Sequence, residues 1–276
     1  MRGFVQRNNL GDGQIGPPQL NREKNRRYTY EPFDGPAQFS KNTGNAAATG
    51  ATGDVNSMIT SRGNAFEYHI KGAGQTIIVP VFDYTNGLGW DVAHDAVNTE
   101  GVEYSASPNI VTANMARGKH SYKIADSAVR LGFYAKWQFY VTDASGLNPL
   151  FMGFLKHQAY QTANTTYTDY AGFKMVVSAA VAKVNLATNL NNDGEVLTDT
   201  TQTIGDAALH TWEVRVRADG YAYFLFDNAF PTVTKTNFQF DAGDIVRPAF
   251  FLLHGADASE ALFWQHFEAG YFSERP

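Results

Sequence analysis

The chain has 276 residues, with 14% aromatics and no Cys. That length suits one large β-sandwich with a sizeable core, and the lack of Cys excludes disulfides, thiolate metal sites and a Cys nucleophile. The net charge of −5 is uneven: residues 1–62 hold eight Lys/Arg against five Asp/Glu, a net of +3, which leaves −8 for the rest.

Residues 1–62 show no sustained period of 2 or 3.6. They are rich in Gly, Asn, Pro, Thr and Ala, and residues 42–56 (NTGNAAATGATGDVN) approach low complexity. Such a composition cannot build its own core. An extended N-terminal arm over 1–62 and a folded domain over 63–276 are therefore expected. A basic arm on an acidic body points to an acidic protein surface as partner, and +3 is weak for nucleic acid. The candidate anchors are Tyr28, Tyr30, Phe33 and Phe39. Arg22, Lys24, Arg26 and Arg27 would steer docking. On this reading the arm orders through contacts outside its own domain, which folds without it. The first residues have no apolar run of signal-peptide type. No run approaches the roughly 18 apolar residues of a membrane span, so no membrane partner is expected.

From Asn64 the texture changes. Residues 66–70 (FEYHI) alternate as a strand does. Residues 76–82 (TIIVPVF) read as a buried strand, with Pro80 marking an edge or bulge. Asn86-Gly87 is a hairpin signal. Residues 129–141 (VRLGFYAKWQFYV) read as one long aromatic strand or two. Further strands follow at 151–155 and 173–184. Residues 177–184 could also be helical, but they are β-branched. Residues 212–216 (WEVRV) alternate and pass through Asp219-Gly220 into 221–226 (YAYFLF), the strongest hairpin in the chain. Segments 238–240, 249–253 and 263–272 close the domain. About a dozen short strands separated by turns make the pattern of an antiparallel sandwich or jelly roll.

One stretch carries a resemblance. His210, Trp212, Val214 and Val216 lead through Asp219-Gly220 to Asp227, Asn228 and Pro231. Residues 246–251 (VRPAFF) and 267–271 (FEAGY) follow. This run resembles the late strands of concanavalin A-like (laminin-G-like) jelly rolls. That fold hosts lectins, hydrolases and structural modules, so it implies no one function. The combination of a Gly/Asn/Ala-rich arm, an aromatic jelly roll and no Cys also resembles virion proteins of tailed bacteriophages, of the capsid decoration, vertex and head-fibre kind. The resemblance implies a non-enzymatic structural protein, made in the host cytoplasm and displayed on the particle. Its partners would be major capsid or other virion proteins and copies of itself. The alternatives are a lectin-like module for host-surface glycan and, third, a glycoside hydrolase.

The residues that could carry chemistry give little. A retaining glycosidase needs two carboxyl groups about 5–5.5 Å apart. Glu100 and Glu103 are three apart, on opposite faces of a flat strand. Asp91 and Asp95, and Asp193 and Glu195, fall around turns. The seven His are scattered, without metal-ligand spacing. Residues 191–195 (NNDGE) offer oxygen ligands for calcium but read better as a plain turn. No P-loop or nucleophile elbow is present, so neither a catalytic residue nor a cofactor is expected. Among the four Trp, Trp212 is expected in the core. Trp90, beside two Gly, is the best exposed candidate for stacking on a sugar.

Overall fold

The computed structural model describes residues 28–35, 37–40, 55–71, 81–84, 89–92, 101–106, 120–125, 131–178, 181–231, 237–254 and 262–272. Arg22, Lys24, Arg26 and Arg27 lie outside them, as do Pro80, Asn86-Gly87, Asp95 and Glu100. The described residues form seventeen strands and one 3₁₀ turn, with no α-helix. In chain order the first strands are β1 (Thr29–Glu31), β2 (Ala37–Ser40), β3 (Val55–Thr60), β4 (Ala65–Lys71), β5 (Val81–Phe82) and β6 (Trp90–Asp91). Next come β7 (Gly101–Ser105), β8 (Tyr122–Lys123), β9 (Gly132–Val141), β10 (Leu147–Lys156), β11 (Tyr170–Ser178) and β12 (Val181–Asn189). The last are β13 (Val196–Thr203), β14 (Ala208–Val216), β15 (Ala222–Phe226), β16 (Ile245–His254) and β17 (Leu262–Phe272).

The protein is all-β, as its alternation predicts: an antiparallel sandwich of the jelly-roll kind. One sheet has seven strands in the order β15-β14-β9-β17-β6-β5, with β1 also on β17. The other has ten, in the order β13-β12-β11-β10-β16-β7-β4-β3-β2, with β8 on β16. The expected hairpin through Asp219-Gly220 is β14–β15, with Trp212 opposite Phe226. Gly220 turns it with φ +98°, a conformation that a side chain resists. Residues 177–184 are no helix: Val177 pairs with Ala182 across the tight β11–β12 hairpin. Their β-branched side chains favour the pleated surface.

The two sheets face each other across an aromatic core. Trp212 of β14 meets Phe173 of β11 at 5.3 Å. Trp264 of β17 meets Phe250 of β16 at 5.1 Å and Tyr104 of β7 at 4.7 Å. Tyr122 of β8 stacks flat on Phe133 of β9 at 4.4 Å. Such contacts are worth about 0.5–1.5 kcal/mol each beyond the area they bury.

The described part of residues 1–62 belongs to this sandwich, which corrects the boundary expected at residue 63. β1 pairs with β17, while β2 and β3 extend the ten-stranded sheet from β4. Phe33 and Met58 are core residues, and Phe33 lies 5.2 Å from Trp264. The buried carboxylate of Glu31 accepts hydrogen bonds from Thr60 Oγ1 at 2.5 Å and Asn64 Nδ2 at 2.8 Å. β1 is thus hydrogen-bonded to one sheet through its backbone and to the other through a side chain. Composition misled here because a poor stretch needs no core of its own when strands on both sides are waiting to be paired. Deleting residues 1–62 removes Phe33 and Met58, whose burial is worth about 1.5–3 kcal/mol each. The 63–276 fragment is therefore expected to melt well below the full chain. Deleting residues 1–27 alone should leave melting unchanged. Equal melting of the two truncations in a thermal scan would show that β1 to β3 contribute nothing.

Candidate functional site

Each sheet has an outer face, and the two differ. On the ten-stranded sheet the middle of that face, at β4, β7 and β16, is covered by the β10–β11 connection, residues 157–169. Tyr167 of that connection joins Phe151, Leu155, Tyr170, Ala187, Ala249 and Phe251 beneath it in a second, smaller apolar cluster. Gly153 and Gly172, paired across β10 and β11, make room for the Phe151 ring. A Cβ on either would come within 2.9 or 2.6 Å of its Cζ.

Next to that cluster lies a buried group of charges. Glu103 of β7 accepts a hydrogen bond from Arg247 Nη2 of β16 and is ion-paired with Lys71 Nζ of β4, both at 2.7 Å. All three side chains are at most 1% exposed. Burial alone would raise the Glu103 carboxyl; Lys71 and Arg247 outweigh it and hold the group below the usual range. Lys71 is held down by its own burial, which the attraction of Glu103 does not offset. His69 stacks on Tyr160 at 4.8 Å. Burial first, and Lys71 second, lower its pKa to about 3.

Among the described residues the outer face of the seven-stranded sheet carries no covering segment: Tyr30 is exposed, Lys136, Gln138, Tyr140 and His266 are half-buried, and Tyr134, Thr211 and Glu213 are buried. Alternation turns Tyr134, Lys136, Gln138 and Tyr140 of β9 outward, while Phe133, Trp137 and Phe139 enter the core. The ladder sets these residues in rows across the strands. One row reads Tyr30, Glu268, Lys136, Glu213. The row on one side reads Gly270, Tyr134, Arg215, Tyr223; that on the other reads His266, Gln138, Thr211. Glu268 accepts hydrogen bonds from the phenols of Tyr134 and Tyr28. Burial, with Glu268 second, raises the pKa of both phenols, so they remain donors. Glu213 accepts from Arg215 Nε at 2.5 Å, and Lys136 Nζ donates to Asn228 Oδ1 at 3.3 Å. Tyr30, 43% exposed, packs against His266 at 4.5 Å. Burial and then Lys136 lower His266 to about 4. Its ring is thus neutral at pH 7, and its 3.8 Å approach to Glu268 is no ion pair there.

No protein-family model matches the chain, and no curated protein does. Solved structures do. A legume lectin-like domain from Entamoeba histolytica is 9% identical, with a TM-score of 0.48, over 75% of this chain and 90% of that one. The carbohydrate recognition domain of Emp47p is 9% identical, with a TM-score of 0.42, over 74% and 88%. The CBM2 module of an evolved Dit from Lactobacillus casei BL23 phage J-1 is 11% identical, with a TM-score of 0.43, over 90% and 96%.

The expected anchors are not brought together as an arm. Tyr28 and Tyr30 lie on the open face beside Glu268, and Phe33 is in the core. Phe39 lies on β2 opposite Met58, and its side chain is outside the described residues. Trp90, expected as an exposed platform, is 4% exposed and donates to the Gly35 carbonyl at 3.0 Å. Glu195, weighed for calcium, is occupied by Lys174 at 2.9 and 2.8 Å and by the Tyr170 phenol at 2.8 Å. Among the described residues no three His, Asp or Glu gather as metal ligands.

Two arrangements escaped the sequence. Glu213 and Glu268 share a face across Lys136, with backbones about 9.6 Å apart at two strand spacings. Lys71, Glu103 and Arg247 come from distant segments. Neither set has a spacing along the chain that betrays it. The two lowered histidines yield a sign for acid stability. Below pH 6.5 the unfolded chain takes up protons that the folded rings refuse, so stability falls with pH. The fall runs toward pH 4 for His266 and pH 3 for His69, at about 1.4 kcal/mol per unit for each. His69→Gln is expected to flatten the slope between pH 6 and 4 in denaturant titrations; an unchanged slope would refute a neutral His69.

Proposed function

We propose that this chain is a non-enzymatic binding protein that takes carbohydrate on the outer face of its seven-stranded sheet. The observation that carries this reading is the grid on that face. Tyr30, Tyr140 and Phe263 offer ring surface for the apolar faces of a sugar, and Lys136, Gln138 and His266 stand between them as hydrogen-bonding groups. Several are held in place beforehand: Glu268 by two phenols, Lys136 by Asn228, the His266 ring by Tyr30. Fixed groups lose less entropy when a ligand binds. A non-enzymatic role is favoured by how the face's two glutamates are engaged. Glu213 is paired with Arg215 and Glu268 with tyrosines, and a cation separates them.

The setting we propose is the surface of a tailed-phage particle, with host-surface glycan as the target. Residues 1–27, which hold Arg22, Lys24, Arg26 and Arg27, would contact capsid or other virion proteins or sister copies. The basic run and the aromatic jelly-roll texture support this setting.

Glycan-array screening of the purified chain, followed by calorimetry on the best ligand, tests the reading. Tyr30→Ala and Gln138→Ala are each expected to weaken binding by about tenfold, roughly 1.4 kcal/mol, with little change in melting temperature. A ligand whose affinity neither substitution alters would place the site elsewhere. Turnover of a bound polysaccharide, lost in Glu268→Gln, would overturn the non-enzymatic assignment.

A further inference from the structure

The β10–β11 connection meets the ten-stranded sheet with groups that resemble those of a ligand. Tyr167 Oη donates to Glu103 Oε1 at 2.6 Å and accepts from Arg247 Nη2 at 3.3 Å. The Tyr160 phenol donates to Glu67 Oε2 at 3.3 Å. The Gln161 carbonyl accepts from Lys71 Nζ at 2.5 Å. Two hydroxyl-bearing six-membered rings and one carbonyl oxygen therefore occupy charged groups on three adjacent strands, β4, β7 and β16. The Arg247 guanidinium lies 5.4 Å from the Tyr160 ring and 5.8 Å from the Tyr167 ring.

A cover that served stability alone would not need this chemistry. Replacing a buried ion group by apolar side chains of like volume is often neutral or stabilising. Nor does the connection satisfy what it covers. Arg247 Nε and Nη1 and both ring nitrogens of His69 have no hydrogen-bond partner, yet both residues are 0% exposed. Buried polar atoms are normally paired, and each exception calls for an explanation. Among the fully buried charges there are two cations, Lys71 and Arg247, and one carboxylate, Glu103; Glu67 stands half-buried at the margin. The two basic side chains share one carboxylate, an excess of one base that fits a monoanion better than a phosphate dianion. Arginine is well suited to pairing with carboxylate.

We propose that residues 157–169 are a strap that occupies a second binding site, and that a saccharide bearing a uronic acid displaces its tip. The carboxylate pairs with Arg247. The sugar ring takes the place of Tyr160 on His69, above the aromatic floor of Phe251 and Phe151. The strap stays anchored at its base, where Lys156 N donates to the Asp169 carbonyl, His157 N to Ile245 and Asn192 N to Thr168, each at 2.8 Å. The site lies on the opposite sheet from the open face and does not rest on the function proposed for that face.

The test is calorimetry of the full chain with trigalacturonate and with a neutral galactose trimer, joined to amide hydrogen exchange over 157–169. The acidic trimer is expected to bind, to exceed the neutral one by about tenfold or more, and to speed exchange in the strap. Arg247→Gln should abolish binding. That variant strips Glu103 of a partner and could unfold, so His69→Gln serves as the second and should weaken binding several-fold. Tyr167→Phe removes the strap's bond to Glu103 and keeps the ring. Since the strap competes with the ligand, this variant should bind the acidic trimer more tightly, an effect that a merely structural connection would not produce. No binding of the acidic trimer at millimolar concentration would overturn the proposal. So would equal binding of the neutral trimer, or affinities unchanged in both His69→Gln and Tyr167→Phe.

Discussion

Arg247 remains charged inside the protein, and Lys71 is accommodated beside it, because Glu103 stands between them. A lone cation in a medium of low dielectric constant would lose its proton or draw in water. With the carboxylate 2.7 Å from each, both can be buried. The rest of the outer ten-stranded face follows from that pairing. β4, β7 and β16 have to run side by side to bring the three charges together. The β10–β11 connection has to close over them, since water would otherwise weaken every attraction in the group. The aromatic cluster of Phe151, Tyr170 and Phe251 continues the closed surface beyond the charges.

Among the described residues the opposite sheet has no such cover, and its outward residues differ accordingly. Its half-buried Glu268 rests on phenols, and its buried Glu213 on the exposed guanidinium of Arg215. Ion pairs there are worth little to stability, since water and salt screen them. Their effect is geometric: they hold side chains in a plane that a flat ligand can meet. The middle of one sheet, around β4, β7, β16 and β10, thus has both faces buried, while its edge strand β13 and the outer face of the other sheet meet water.

The segment around β1 links these two regions. It crosses from β17 of one sheet toward the β3–β4 turn of the other. It places Phe33 against Trp264, Tyr30 on the open face, and Glu31 under Thr60 and Asn64. Its share of Gly, Pro and polar residues gives it little self-structure. The pairing partners and cavities offered by the sandwich supply the free energy that its composition lacks. Thr29 adds a buried contact from its Oγ1 to His120 Nε2 at 2.8 Å.

The sequence by itself determined the class of fold. The period-two alternation in 132–141, 208–216 and 262–272, and the turn at Asp219-Gly220, are local, and local geometry decides which side chains point inward. It also foretold Trp212 in the core. Tertiary structure decided where the sandwich begins, since β1 to β3 are stable through strands distant in sequence. It decided the fate of Trp90, which looked exposed beside glycines and is buried under the Gly35 backbone. It alone made the two candidate sites. Glu268 meets Tyr134, and Glu103 meets Arg247, across 134 and 144 residues of chain. Strand order, a non-local consequence of sheet pairing, sets those encounters, and no spacing within a strand records it.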